Sequence, residues 1–215
     1  LRIHAFTRIC FASAGPWIGF LAGSFLTIST GCDRQRGPAT STAPAVSDAA
    51  RTESEGWVSL FNGQDLTGWR QVGGSVWTVE AGQLVGRQGE DHAAGALPSD
   101  GEYGDFERVC TYRVVWPANS GIWFRYQSPR RAYQADILEW PDPACYSGTL
   151  YYTPIKGERL FLACNADKGL VDETGWNTLR IQAEGDHVRV WLNDTLTADV
   201  RAATRFHFVE RMDEV

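Results

Sequence analysis

Along residues 119–139, NSGIWFRYQSPRRAYQADILE, apolar and polar positions follow the period of two that marks a half-buried strand. In 121–127 this sets Trp123, Arg125 and Gln127 on one face against Ile122, Phe124 and Tyr126 on the other. In 133–140 it groups Gln134, Asp136, Leu138 and Trp140 against Tyr133, Ala135, Ile137 and Glu139. Each run predicts one face that packs in a core and one that presents charge or amide to something polar. From residue 56 onward the theme repeats as short β-branched or aromatic runs between Gly, Asp, Asn and Pro turns, without long helical periodicity. Strands are predicted over 58–61, 76–80, 83–86, 106–116, 122–126, 133–139, 149–152, 178–183, 187–192 and 196–200. Hairpins are predicted at Ala81-Gly82, at Gly185-Asp186 and at Asn193-Asp194, the last with Asp where Gly adopts positive φ more easily. In 106–116 the alternation is poor, which predicts a central strand covered on both faces. The pattern as a whole predicts an all-β fold, an antiparallel two-sheet sandwich.

Composition narrows this picture. The 215 residues are 43% hydrophobic and 12% aromatic, enough for one substantial core plus appendages. Nine Trp and 22 Gly fit tight turns and aromatic surfaces, a composition frequent among carbohydrate binders.

Residues 1–32 hold Arg2 and Arg8, no acid, and an apolar run over 11–28 that is short and Gly/Ser-broken for a membrane span. They read as an export signal. The run closes on Ser29-Thr30-Gly31-Cys32, which resembles a bacterial lipobox and makes Cys32 the candidate lipidation site; plain cleavage and a retained anchor are the alternatives. A lipid on Cys32 would tether the protein to a membrane in the bacterial cell envelope, periplasmic or outer-surface, without spanning it. Residues 33–55, rich in Pro, Ser, Thr, Ala and charge, read as a flexible linker to a domain over 56–215. Beyond Cys32, 18 basic residues face 26 acidic ones, a net charge near −8 that disfavours nucleic acid as a partner.

With Cys10 and Cys32 in the signal, Cys110, Cys145 and Cys164 remain in an oxidising compartment. Their odd number leaves at least one unpaired. Cys110 lies in a strand pattern as a small buried hydrophobe, while Cys145 and Cys164 flank an excursion they could bridge. His4, His92, His187 and His207 lack the spacing of metal ligands, so neither a metal nor another cofactor is expected.

The run from Ser59 to Trp69, SLFNGQDLTGW, resembles the opening motif LFNGKDLxGW of the bacterial 3-keto-disaccharide hydrolase domain family. WTVEAGQLVG from Trp77, YGDFE from Tyr103, NSGIWFR from Asn119 and WNTLRI from Trp176 resemble its later motifs, in order. The resemblance spans residues 56–200. It implies a concanavalin-like jelly roll whose concave face holds a saccharide, and glycosides oxidised to a ketone at C3 as the substrate class. The chain departs from the family twice. Where the family commonly reads Tyr-Glu-Val-Gln-Ile-Leu-Asp, it has Tyr133-Gln134-Ala135-Asp136-Ile137-Leu138-Glu139, so acid and amide are exchanged on one strand face, about 6 to 7 Å apart. After Val200 the family's closing patterns do not occur, so an incomplete C-terminal end is expected.

A C3 ketone acidifies the C2 hydrogen, so the bond at C1 breaks by elimination if a carboxylate takes that proton and a donor or cation holds the enolate. The candidates are Asp136 as base, Arg125 as clamp and Glu139 as acid for the leaving oxygen. Two plainer readings stand beside these: an Asp136–Arg125 ion pair lining the sheet, and Glu139 as a solvated strand end. Candidate sugar contacts are Trp123 by stacking, Gln134 and Tyr151 by hydrogen bonds, and Asn119, which with Ser120 equally suits a turn. The function expected is an envelope-anchored hydrolase or lyase of 3-keto-glycosides, with a noncatalytic carbohydrate-binding module as the alternative.

Overall fold

The computed structural model of the chain describes residues 2–12, 57–128, 131–141, 144–153 and 160–201. Its strands are β1 Arg2–Ala12, β2 Trp57–Ser59, β3 Val72–Gly73, β4 Val76–Glu80, β5 Gln83–Arg87, β6 Gly95–Ala96, β7 Phe106–Val114, β8 Asn119–Ser128, β9 Arg131–Pro141, β10 Ala144–Thr153, β11 Leu160–Asn165, β12 Asn177–Glu184, β13 His187–Leu192 and β14 Thr195–Arg201. All but β3 and β6, which pair with each other apart from the rest, form a two-sheet jelly-roll sandwich. The larger sheet runs β14-β13-β12-β7-β1-β5-β4 with β2 beside β1, and the smaller runs β11-β10-β9-β8, fully antiparallel. Among the described residues no helix is long and apolar enough to cross a membrane.

Alternation decides which side chains fill the space between the layers. From the larger sheet come Phe106, Cys110, Tyr112, Leu179, Ile181, Val190 and Leu192; from the smaller come Ile122, Phe124, Tyr133, Ala135, Ile137, Leu150 and Tyr152. A fully buried aliphatic side chain in such a layer contributes about 1.5–3 kcal/mol. One aromatic contact crosses the layers, Phe106 meeting Phe124 edge-on at 5.8 Å, and it continues within the smaller sheet, where Phe124 stacks on Tyr133 at 5.5 Å and Tyr133 meets Tyr152 at 4.9 Å.

Two turns carry the positive φ that suits a right-twisted hairpin, Ala81-Gly82 (49° and 73°) and Asn193-Asp194 (47° and 66°). The Asn193 amide explains why a non-glycine pair holds the second: it accepts from the Thr178 N–H at 2.8 Å and donates to the Leu170 carbonyl at 2.8 Å and to Asn177 Oδ1 at 2.9 Å. Strand β7 is central in its sheet but not covered on both faces as its sequence suggests. Its outward side carries Glu107, ion-paired to Arg180, and exposed Arg113.

Cys145 and Cys164 form a disulfide across β10 and β11, with Cα atoms 5.1 Å apart. Cys110 is free and buried, and burial pushes its thiol up from the ordinary range. In the native protein at pH 8 we expect the Cys110 peptide to resist maleimide, and to label only after denaturation; peptide mapping checks this.

Arg2–Ala12, part of the segment with export-signal character, forms β1 within the larger sheet. Cys32 and the linker lie outside the described residues.

Candidate functional site

The outward face of the smaller sheet gathers most of the sequence candidates. Strand β9 sends Tyr133, Ala135 and Ile137 into the core, so Gln134, Asp136 and Leu138 lie on its other face. Cross-strand register then builds a grid. One row is Trp123, Gln134, Tyr151 and Phe161; the next places Gly121 beside Asp136; a third places Asn119 beside Leu138. Asn119 is exposed at the far end of this face.

Shielding within the grid is steep. Asp136 is 3% exposed, Gln134 8% and Tyr151 8%, whereas Trp123 is 36% exposed. The rings of Tyr126, Trp123, Tyr151 and Phe161 follow one another at 6.1, 6.1 and 5.9 Å, an aromatic strip open at its Trp123–Tyr126 end. Such a strip suits the apolar C–H face of a sugar ring, with the Tyr151 hydroxyl, the Gln134 amide and the Asp136 carboxylate for its oxygens.

Gly121 is required by this arrangement. A Cβ there would overlap the Gln134 amide nitrogen and approach its Cγ to 2.7 Å, so Gln134 lies flat across β8 only because Gly121 has no side chain. Gly121→Ala is expected to lift Gln134 away from Asp136 and weaken sugar binding about tenfold, as measured by tryptophan quenching, an effect of roughly 1.4 kcal/mol.

Arg125 is not brought to this face, and no Asp136–Arg125 pair lines it. Between the pairs Phe124↔Tyr133 and Ser128↔Arg131 the ladder carries two extra residues on β8, and Arg125 sits at φ 46° in that bulge. The turned backbone sends its guanidinium toward the larger sheet, where it donates to Asp105 Oδ1 at 3.1 Å and to the Gly185 carbonyl. Asp105 Oδ1 also accepts from the Gly185 N–H at 2.9 Å. Tyr133 feels the Arg125 charge from the core side: burial raises the Tyr133 pKa, the neighbouring Tyr152 adds to the rise, and Arg125 opposes it.

Glu139 is also separate from Asp136. It lies on the opposite parity near the end of β9, exposed, and bonds Lys168 Nζ at 2.7 Å beside a shallow recess with Trp116, Tyr146 and Glu173. The Glu139 hydrogen bond, then that of Glu173, raises the Lys168 pKa. Among the described residues no three His, Cys, Asp or Glu side chains gather to hold a metal.

Two members of the strip escape sequence reasoning. Tyr126 is assigned to the core by parity, but the bulge leaves it 54% exposed. Phe161 lies in β11, whose Leu160-Phe161-Leu162-Ala163 run lacks alternation.

The sequence model of the 3-keto-alpha-glucoside-1,2-lyase-like domain matches residues 56–208. Among solved structures, a candidate glycosyl hydrolase from Parabacteroides distasonis shares the fold with TM-score 0.55 at 18% identity, over 72% of this chain and 76% of that one. A carbohydrate-binding module from Bacillus subtilis aligns more loosely, with TM-score 0.44 at 17% identity over 62% of this chain and 79% of that one. None of the curated proteins matches the chain.

Proposed function

Because the chain belongs to the 3-keto-alpha-glucoside-1,2-lyase-like domain family, we propose that it takes a 3-keto-glycoside on the outward face of its smaller sheet and cleaves it by elimination. The observation that carries this reading is the placement of Asp136 beside Gly121, in the row next to that of Trp123, Gln134 and Tyr151. Asp136 takes the C2 proton, the electron pair forms a C1–C2 double bond, and the C1–oxygen bond breaks. Charge developing on the C3 oxygen is held by the Gln134 amide N–H and the Tyr151 hydroxyl, donors that take the part first given to Arg125. Trp123 and Tyr126 bear the sugar's apolar face. The departing oxygen takes its proton from water or from Asp136 after the abstraction, since Glu139 is committed to Lys168.

A second reading, carbohydrate binding without catalysis, is favoured by the shielding of Asp136, which is 3% exposed. Incubation with 3-keto-glucosides and with plain glucosides separates the two. Aglycone released from keto substrates alone supports elimination; binding of both without release supports a module; release from plain glucosides alone defeats the keto-substrate reading.

The lipobox-like Ser29-Thr30-Gly31-Cys32 supports an envelope anchor through lipidated Cys32. Cys32→Ala is then expected to move the protein from the membrane to the soluble fraction in an expressing bacterium.

A further inference from the structure

The elimination gives the bound sugar a direction. The Gln134 amide and the Tyr151 hydroxyl hold the C3 oxygen in one row of the outward face, and Asp136 reaches the C2 hydrogen from the next row. C1 and its departing oxygen follow C2 around the ring. They therefore point onward along β9 to the third row, where exposed Asn119 stands beside Leu138. Successive rows on one face are about 6 to 7 Å apart, on the scale of a sugar ring.

Leu138 also lines the shallow recess at this end of the sandwich. Separate stretches of chain build the recess: Trp116 comes from the β7–β8 connection, Leu138 and Glu139 from β9, Tyr146 from β10, and Lys168 and Glu173 from the connection between β11 and β12. Its chemistry suits hydroxyl groups. Lys168 Nζ donates to Glu139 Oε1 at 2.7 Å and lies 3.0 Å from Glu173 Oε1. An ammonium carries three donors, so one remains for a ligand, flanked by two carboxylates that accept. All of these charged side chains are partly exposed. Trp116 and Tyr146 supply apolar walls, and the Trp116 indole N–H is shielded from solvent with no partner among the described residues. None of these groups takes part in the proton abstraction, yet they stand beyond Asp136 on the side to which the departing oxygen points.

We propose that this recess is the leaving-group subsite, and that it takes a hydroxyl-rich group, a second sugar, joined through the C1 oxygen. The inference rests on the elimination reading for its direction. The scissile bond then lies between Asp136 and Leu138, with the oxidised ring on the aromatic strip and the second ring over Asn119, against Tyr146 and Lys168. Lys168 donates to a hydroxyl of the departing sugar, and Glu173 accepts from one. The binding surface thus has ends of unlike chemistry. An aromatic mouth at Tyr126 bears the oxidised ring, and a charged shelf at Lys168 selects the group that leaves.

The test measures affinity by calorimetry on the full chain carrying Asp136→Asn, which leaves the ligands intact. The probes are methyl, nitrophenyl and glucosyl 3-keto-α-glucosides. The glucosyl ligand is expected to bind about tenfold more tightly than the methyl one. Lys168→Met, and independently Glu173→Gln, should bring that ratio close to one; both side chains are half-exposed, so neither is needed for folding. Tyr126→Ala should weaken all the ligands by a similar factor and keep the ratio. A ratio near one before any of these changes overturns the subsite, as does a ratio that survives both Lys168→Met and Glu173→Gln. A ratio lost in Tyr126→Ala overturns it too, because the second sugar would then lie at the other end of the face. A nitrophenyl ligand that binds as tightly as the glucosyl one overturns hydroxyl recognition. Release of the leaving group by the parent chain is read separately. Release with a ratio near one keeps the elimination and overturns the subsite, whereas the tenfold ratio without release supports the recess as a second sugar site and overturns the elimination.

Discussion

The Asp136→Asn variant is expected to release aglycone from a 3-keto-glucoside about 100-fold to 10,000-fold more slowly than the parent, the usual contribution of a positioned base. Sugar binding, read from tryptophan fluorescence, should change far less than turnover, because Asn keeps the size of Asp and one acceptor oxygen, exchanging only the second oxygen for an N–H donor. Retained turnover in this variant would remove Asp136 from the chemistry. The exchange of acid and amide along β9 supplies a companion measurement. Gln134 lies one row nearer the aromatic strip than Asp136, so Gln134→Glu places a second carboxylate about 6 to 7 Å away on the same face. If the sugar's C2 lies over the Trp123 row, Gln134→Glu in the Asp136→Asn background restores release; if it lies over the Gly121 row, it does not.

Opening the Cys145–Cys164 bridge is expected to cost about 3 kcal/mol, the chain-entropy value for a loop of this size, its ends being 19 positions apart. For a chain of this length that corresponds to a fall in Tm of about 6–12 °C, measurable by calorimetry on Cys145→Ala/Cys164→Ala. The loss should be local first. Among the described residues strand β11 is the edge of the smaller sheet and has β10 as its ladder partner, so its exchange protection should go before that of β9. Phe161 travels with it, and the aromatic strip then loses its inner end. An unchanged Tm would mean that Asn165, which donates to the Ser147 carbonyl at 2.8 Å and whose backbone N–H donates to Thr149 Oγ1 at 3.0 Å, holds the edge without the bridge.

The sandwich was legible in the sequence because strand periodicity survives wherever the backbone stays extended. Strands β4 and β13 match their predicted limits, and the split of β9 into a core face and a polar face is that of its residues. The failures share a cause. Parity counting at Arg125 and Tyr126 assumes an unbroken ladder, and a bulge with φ 46° voids it. Strand β11 was missed because one bridged cysteine and a run of four apolar residues conceal its alternation. Arg2–Ala12 carries charge and composition that suit a leader, and nothing in its pattern points to the parallel register it takes between β5 and β7.

The reach of Arg125 across the rim has a mechanical meaning. In a sandwich the two layers meet chiefly through interdigitated apolar side chains, which fix the spacing at the centre of the core better than at its rim. Arg125 ties the end of β8 to Asp105 and to the β12–β13 turn at Gly185, working as a rivet between layers. The mouth of the aromatic strip, Trp123 two residues before that rivet and Tyr126 one residue after it, therefore keeps its spacing from a turn on the opposite layer. Substitutions at Gly185, remote from any sugar, will be transmitted to Trp123 and Tyr126 as a change in the width of the cleft they frame.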